Sequence, residues 1–377
     1  MAAVPEGMSQ QESSQVVNLM IDVSGSATPT EEQSADDRDN IANVYNSMIK
    51  DKIPSTMFLT QDVSASSLVL YLTQLGLYGN IEFGMAGNHS DEKLSTMPYK
   101  EQRAILESSY SYASAAHVCG KNEKPIRGFK PLSFDQNEDT YKALDDLGIE
   151  YNAGFQAGII YAPGHEDDVW PYPVEGHDFY AVPTSSYTVS DGLMPLQDSY
   201  FRDMGLGADE WYDALAAKFN EIKGQDEPLV ISLTTSISGN GDYLDALKRF
   251  IELAKSENAA FVNTTQLVDM TRAGVDRVSA IPVRTSDSAA CPDCEEKKSA
   301  GIDDDMNIGN ASASNETITI FVDMYNSTRP ADMGSEDWIS YQMLHFFALG
   351  INRFWLLSLF GMGELESEIV CILLHLG

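Results

Sequence analysis

Basic residues, cysteines and long apolar runs are what this chain has little of. Its 24 lysines and arginines stand against 57 aspartates and glutamates in 377 residues, a formal net charge of -33. A field of that sign repels nucleic-acid phosphates and anionic membrane surfaces, so nucleic acid is excluded as an expected partner. The acidity itself has two readings, a surface built for a salty or extracellular setting and plain solubility, and both stay open. Four cysteines are too few and too scattered for a disulfide scaffold. Cys291 and Cys294 form one Cys-Pro-Asp-Cys step, half the ligand set of a structural zinc, and read as a loop turn. The opening MAAVPEGMSQQESSQ has no basic region followed by an apolar core, so it is not a secretory signal as written. The chain is then either cytoplasmic or numbered from after a removed leader. Asn-x-Ser/Thr sequons at Asn88, Asn263, Asn310, Asn315 and Asn326 tilt the expectation toward an extracellular or cell-envelope location. No apolar run reaches the ~18 uncharged residues of a spanning helix, because Asn352 and Arg353 interrupt the C-terminal one.

What is present is the material of a core: 43% hydrophobic and 10% aromatic residues. Residues 1–15 read as a polar tail. From Val16 short apolar runs alternate with helical periodicities, which predicts an α/β domain over 16–283. VVNLMID is a buried strand ending in Asp22. The next segment places Ile41, Val44, Tyr45 and Met48 on one helical face. STMFLT and NIEFGMAG are further strands, with a helix over SSLVLYLTQLG between them. Pro98 opens a helix over 99–116. In NEDTYKALDDLG the residues Tyr141, Leu144 and Leu147 face inward, and Gly148 closes the helix. Strand and helix alternate about seven times, as in a (β/α) barrel, where residues just past the strand C-termini build the site. Asp22, His89, Arg127, Thr234 and Thr235 fall at such places.

Beyond this domain, residues 284–315 read as a linker. Residues 316–345 then echo the start of the domain. ITIFVDMYNSTRPADM repeats NLMIDVSGSATPTEEQ, with Asp323, Ser327 and Pro330 in register with Asp22, Ser26 and Pro29. Either a second, incomplete copy begins there or the match is chance. Residues 346–377 form an apolar tail on which no function is built.

Four segments carry a resemblance. LMIDVSG stands where a strand would end in a Phe-Asp-Asp-Gly type motif. EFGMAGNHSDEKL resembles a Glu-x-Gly-Asn-His-(Ser/Thr)-x-x-His segment, and IRGFKPLSFDQNEDTYKALDDLGIEY resembles an Arg-x-Pro motif with its following helix. PLVISLTTSISGNGDYLDALKRFIELAKSENAAFVNTTQLVDM resembles a closing strand, helix and strand. Together, over about residues 16–275, the chain resembles the polysaccharide deacetylase (NodB-homology) family. The resemblance implies a distorted seven-stranded (β/α) barrel-like fold. It also implies hydrolysis of a carbon-nitrogen bond of N-acetylated amino sugars, with an N-acetylated glycan as partner. Members hold Zn²⁺ with one Asp and two His, use a second Asp as base, orient that base with an Arg, and protonate the leaving amine with a His.

Carried over residue by residue, the pattern is incomplete. Asp22 stands for the base, Arg127 for the orienting residue and His89 for the first metal-ligating His. Val23 replaces the metal-binding Asp, Lys93 the second His, and Thr234 and Thr235 occupy the neighbourhood of the acid. No cofactor is expected, and Zn²⁺ only if the site is retained. Lys93 either pairs with Asp22 in place of the cation or points into solvent. The loop PGHEDDVWPYPVEGHDFY offers Trp170, Tyr172 and Tyr180 for stacking on sugar rings or for packing. Its His165, Asp167, Asp168 and His177 form either a replacement metal site or a solvated loop. The alternative to a deacetylase is a catalytically inactive glycan-binding or cell-envelope module.

Overall fold

A computed structural model describes residues 15–25, 30–64, 68, 72, 80–115, 126–189 and 192–274, and strand residues 317–322, 354–356 and 370–375. The chain divides into two units, Met1–Ala300 and Gly301–Gly377. The helix expected over SSLVLYLTQLG lies outside the described residues apart from Leu68 and Leu72, and the linker lies outside them entirely.

In the first unit, seven strands form a continuous parallel run in one sheet, and β11 (Ala260–Val262) adds a further parallel pairing to the first of them. The seven are β1 (Val16–Asp22), β2 (Ser55–Leu59), β3 (Ile81–Met85), β4 (Gly128–Phe129), β5 (Tyr151–Gln156), β7 (Tyr180–Thr184) and β10 (Leu229–Thr234). The order is β10-β1-β2-β3-β4-β5-β7, with β6 (Tyr172–Pro173) antiparallel at the far edge. The two ends of the parallel run are tied without a ladder. Ser185 N–H donates to Val230 O at 2.9 Å, and Ser185 Oγ accepts from Val230 N–H at 2.9 Å. The mixed α/β class and the mostly parallel sheet are those expected.

Strand alternation sorts the apolar residues into two layers. Val17, Leu19 and Ile21 join the larger core, under helices that include α1 (Glu31–Ile49), α3 (Tyr99–Ala115), α6 (Ala208–Glu221) and α8 (Gly241–Ser256). Val16, Met20, Phe58, Tyr151 and Val230 fill the other face of the sheet. Two glycines make that inner layer possible: a Cβ at Gly84 would lie 2.6 Å from the Phe58 ring, and one at Gly128 1.9 Å from that of Tyr151.

At the N-terminal end of the strands, α9 (Thr264–Ala273) seals this layer. Its Thr265 N–H and the Tyr151 hydroxyl donate to the Glu82 carboxylate at 3.0 and 2.8 Å, and Thr264 N–H donates to Thr56 Oγ1 at 2.9 Å. The helix N-terminus thus meets an acidic group of favourable sign. Helix ends follow the sequence signals. Asn137 accepts from Asp139 N–H and Thr140 N–H to start α4 (Glu138–Leu147), and Gly148, at φ 60°, ends it.

In the second unit, β12 (Thr317–Val322) pairs antiparallel with β14 (Val370–His375), which also pairs with β13 (Phe354–Leu356). The strand expected at 317–322 is present, but its antiparallel setting differs from the parallel one of β1. Asp323, Ser327 and Pro330 lie outside the described residues.

Candidate functional site

The C-terminal ends of the parallel strands bring one charged pair together. Asp22 ends β1, and Lys130 follows β4 directly. Lys130 Nζ donates to Asp22 Oδ2 at 2.5 Å, with the lysine fully buried and the aspartate 4% exposed. Burial pushes the Asp22 carboxyl up, and the Lys130 ammonium only partly offsets this. Asp22 Oδ1 has no hydrogen-bond partner among the described residues. Above the ammonium lies the ring of Phe134, with Nζ 5.0 Å from its centroid.

Lys130, not Arg127, is therefore the cation on Asp22, a correction to the sequence expectation. Arg127 precedes β4, at the opposite end of the sheet, where it reaches Glu150 at 3.5 Å and is 41% exposed. Lys93 does not fill this place either: it is exposed beside the short 3₁₀ turn Leu94–Thr96. The signal that was overlooked is the Lys130-Pro131 step, three residues beyond the arginine.

A second buried carboxylate went unrecognised in the sequence. Asp198 opens α5 (Asp198–Asp203) and ties it to the end of β10. Its Oδ2 accepts from Thr234 N–H and Ser238 Oγ, both at 2.7 Å, and its Oδ1 accepts from Ser199 N–H at 2.6 Å. Burial pushes its pKa up to about 6, those hydrogen bonds work against the rise, and the Asp22 charge adds to it. Thr235 is buried as well, and its Oγ1 accepts from Ser24 N–H at 2.9 Å. The β10 end is thus a hydroxyl-rich seam, and neither threonine is an acid at neutral pH.

His89 stands at the loop after β3, 56% exposed at its side chain, with Nδ1 2.8 Å from Asp62 Oδ2. The Asp62 hydrogen bond raises its pKa against a smaller opposing effect of burial, and Glu92 and Asp91 add to the rise. Val23, next to Asp22, is 1% exposed and belongs to the outer apolar core.

The aromatic loop lies away from Asp22. Tyr180 begins β7, opposite Tyr151 at the N-terminal end of the sheet, with the Arg272 guanidinium 5.0 Å from its ring centroid. Trp170 Nε1 donates to Asp226 O at 2.9 Å. Tyr172 is buried, stacks on His165 at 4.0 Å, and accepts from Ala162 N–H through its hydroxyl. Burial pushes that hydroxyl's pKa up to about 12. The two histidines of the loop are committed separately, His165 to Asp168 at 2.5 Å and His177 to Asp145 at 2.7 Å.

A scan against protein-family models matches none, and a search of curated proteins finds no match. Solved structures do match. One, assigned as a polysaccharide deacetylase of Mycobacterium smegmatis, gives a TM-score of 0.53 at 17% identity, over 72% of this chain and 95% of its own. Another, assigned as a polysaccharide deacetylase of Pseudomonas aeruginosa PAO1, gives 0.54 at 12% identity, over 69% and 91%. The allantoinase PuuE gives 0.56 at 15% identity, over 73% and 95%. The chain has the polysaccharide deacetylase fold.

Zinc, which the resemblance to that family implies, does not fit the residues at hand. Val23, at the position where the resemblance implies a metal-binding Asp, has no donor and is packed into the core. Lys93, where the resemblance implies a second His, would repel a cation. Of the positions that the resemblance gives to metal ligands, His89 alone carries a suitable donor; with Asp62 on its Nδ1, that donor is Nε2, and one ligand does not hold a zinc. No group of three or more His, Cys, Asp or Glu side chains suited to a metal occurs among the described residues. A catalytic zinc needs three protein ligands and an open position. What the deacetylase-fold site retains is a buried carboxylate held by a buried ammonium.

Proposed function

We propose that this protein is a glycan-binding module on the polysaccharide deacetylase fold, directed at N-acetylated amino sugars at the cell envelope, in which metal-dependent hydrolysis has been lost. The observation that carries this reading is the donor set at the strand ends. The apolar Val23, the exposed Lys93 and the threonines of the β10 end stand where two metal ligands and the acid are needed. Fold alone does not fix function, so the site decides.

A second reading, hydrolysis of the acetamide carbon-nitrogen bond, draws support from one feature. Asp22, in the place of the base, keeps a cationic partner, Lys130, that fixes its orientation. The aromatic residues Trp170, Tyr172 and Tyr180 support neither reading through Asp22, since they stand toward the other end of the sheet.

Acetate release from chitin oligomers and peptidoglycan fragments, measured with and without added Zn²⁺ or Co²⁺, separates the two readings. Calorimetric binding of the same oligomers without acetate release is the expected result. Metal-stimulated turnover that disappears in D22N would establish hydrolysis instead.

A further inference from the structure

We infer that the Phe134 ring is a gate over the Asp22–Lys130 pair, and that movement of loop 131–136 turns the pair into a binding site for an acetamido or hydroxyl group. The gate half stands on geometry alone; the ligand half rests on the glycan-binding reading above.

The pair is shut away, with Lys130 fully buried and Asp22 only 4% exposed. Its hydrogen-bonding capacity is nevertheless unspent. Asp22 Oδ1 accepts nothing among the described residues, and an ammonium has three donors, of which the aspartate takes one. Two groups of opposite charge with spare capacity suit a neutral ligand carrying both a donor and an acceptor. An acetamide meets that description: its N–H would donate to Asp22, and its carbonyl would accept from Lys130.

Phe134 is half-buried, with the Lys130 ammonium 5.0 Å from its ring centroid. Its backbone is at φ 55°, the left-handed region that bulky L-residues rarely adopt. Such strain persists only where the surroundings hold it, and here the holding contacts are visible. Phe134 N–H donates to Pro131 O at 3.0 Å. Asp135 accepts from Ser95 N–H at 2.9 Å and Ser95 Oγ at 2.5 Å, and Gln136 Nε2 donates to Gly154 O at 2.7 Å. The anchors flank the aromatic residue, so the strained element is short and sits on the pair itself. Releasing it relieves the backbone and uncovers the ammonium in one movement.

Amine acylation of the full chain with limiting acetic anhydride, read by peptide mass spectrometry, tests the gate without any ligand. In the wild-type protein Lys130 reacts at least about tenfold more slowly than the exposed Lys93, as a protected group should. F134G, and F134A as a second variant, bring Lys130 labelling up several-fold while Lys93 stays unchanged, and F134L keeps the protection. Wild-type Lys130 reacting as fast as Lys93 overturns the gate, with no variant needed. So does Lys130 staying protected in folded F134G or F134A. Calorimetry with N,N′-diacetylchitobiose tests the ligand half, with tighter binding to F134G than to wild type expected. Binding no tighter to an uncovered F134G than to wild type sinks the ligand half alone; no binding in any variant sinks the glycan-binding reading with it, and either result leaves the gate standing.

Discussion

Replacing Lys130 by methionine keeps an unbranched side chain of similar length and removes only the charge. In the native protein this ammonium is fully buried and 2.5 Å from Asp22, itself 4% exposed. The variant leaves a carboxylate with no counter-charge in the inner layer. Breaking one side of such a pair costs ~3–5 kcal/mol. The carboxyl has an escape, because it can take up a proton. Burial already raises its pKa with Lys130 in place, and removing the lysine removes what opposes that rise. A carboxyl whose folded pKa lies above its unfolded value contributes stability that is present in acid and lost as pH rises through the folded pKa. K130M should therefore cost ~3–5 kcal/mol at pH 8 and less at pH 5, the cost growing as pH rises. The double variant D22N/K130M, with no charge to bury, should be the milder change at pH 8. Urea unfolding followed by circular dichroism at both pH values measures all of this. A K130M cost independent of pH, or a double variant as costly as the single one, would refute the buried-pair account.

Asp198 offers a second titration. Its pKa of about 6, against an ordinary aspartate value near 3.8, means that its contribution is present below about pH 4 and lost as pH rises through 6. The stability of wild type relative to D198N should thus fall by up to ~3 kcal/mol between pH 4 and 7, and a flat difference would count against it. G128A should lower the thermal midpoint sharply, since the new Cβ would lie 1.9 Å from the Tyr151 ring; overpacking of this kind costs ~1–3 kcal/mol or more. R127A, by contrast, should cost under ~1 kcal/mol, because it removes only a partly exposed contact at 3.5 Å. A large loss of stability or of glycan binding in R127A would restore that arginine to the site.

Much of the fold was legible because its signals are local. Apolar runs such as VVNLMID and PLVISL are buried strands, Pro98 precedes the helix Tyr99–Ala115, and Gly148 closes another helix. Asp22 was legible for the same reason, as the polar residue that ends an apolar strand. The partner of Asp22 was not. β4 is only two residues long, Gly128–Phe129, so Arg127 precedes it and Lys130 follows it. At ~3.3 Å per residue, three positions along extended chain separate the two cations by ~10 Å, which puts them at opposite ends of the sheet. Sequence spacing alone did not fix that boundary. The aromatic loop failed differently: composition marks rings fit for stacking, but only the antiparallel pairing of Tyr172 with Ala181 shows which are packed. Asp198 carries no local mark, since its partners Thr234 and Ser238 lie 36 and 40 residues away.

The central claim is that the strand ends of this deacetylase fold hold a buried ion pair, and that the residues around it do not suit a metal. Zinc stoichiometry tests it most directly. The purified chain is equilibrated with Zn²⁺, desalted and analysed for metal, beside D22N and H89A. The account predicts well under one zinc per chain, unchanged by either substitution. One tightly held zinc per chain, lost in D22N and H89A, would contradict it.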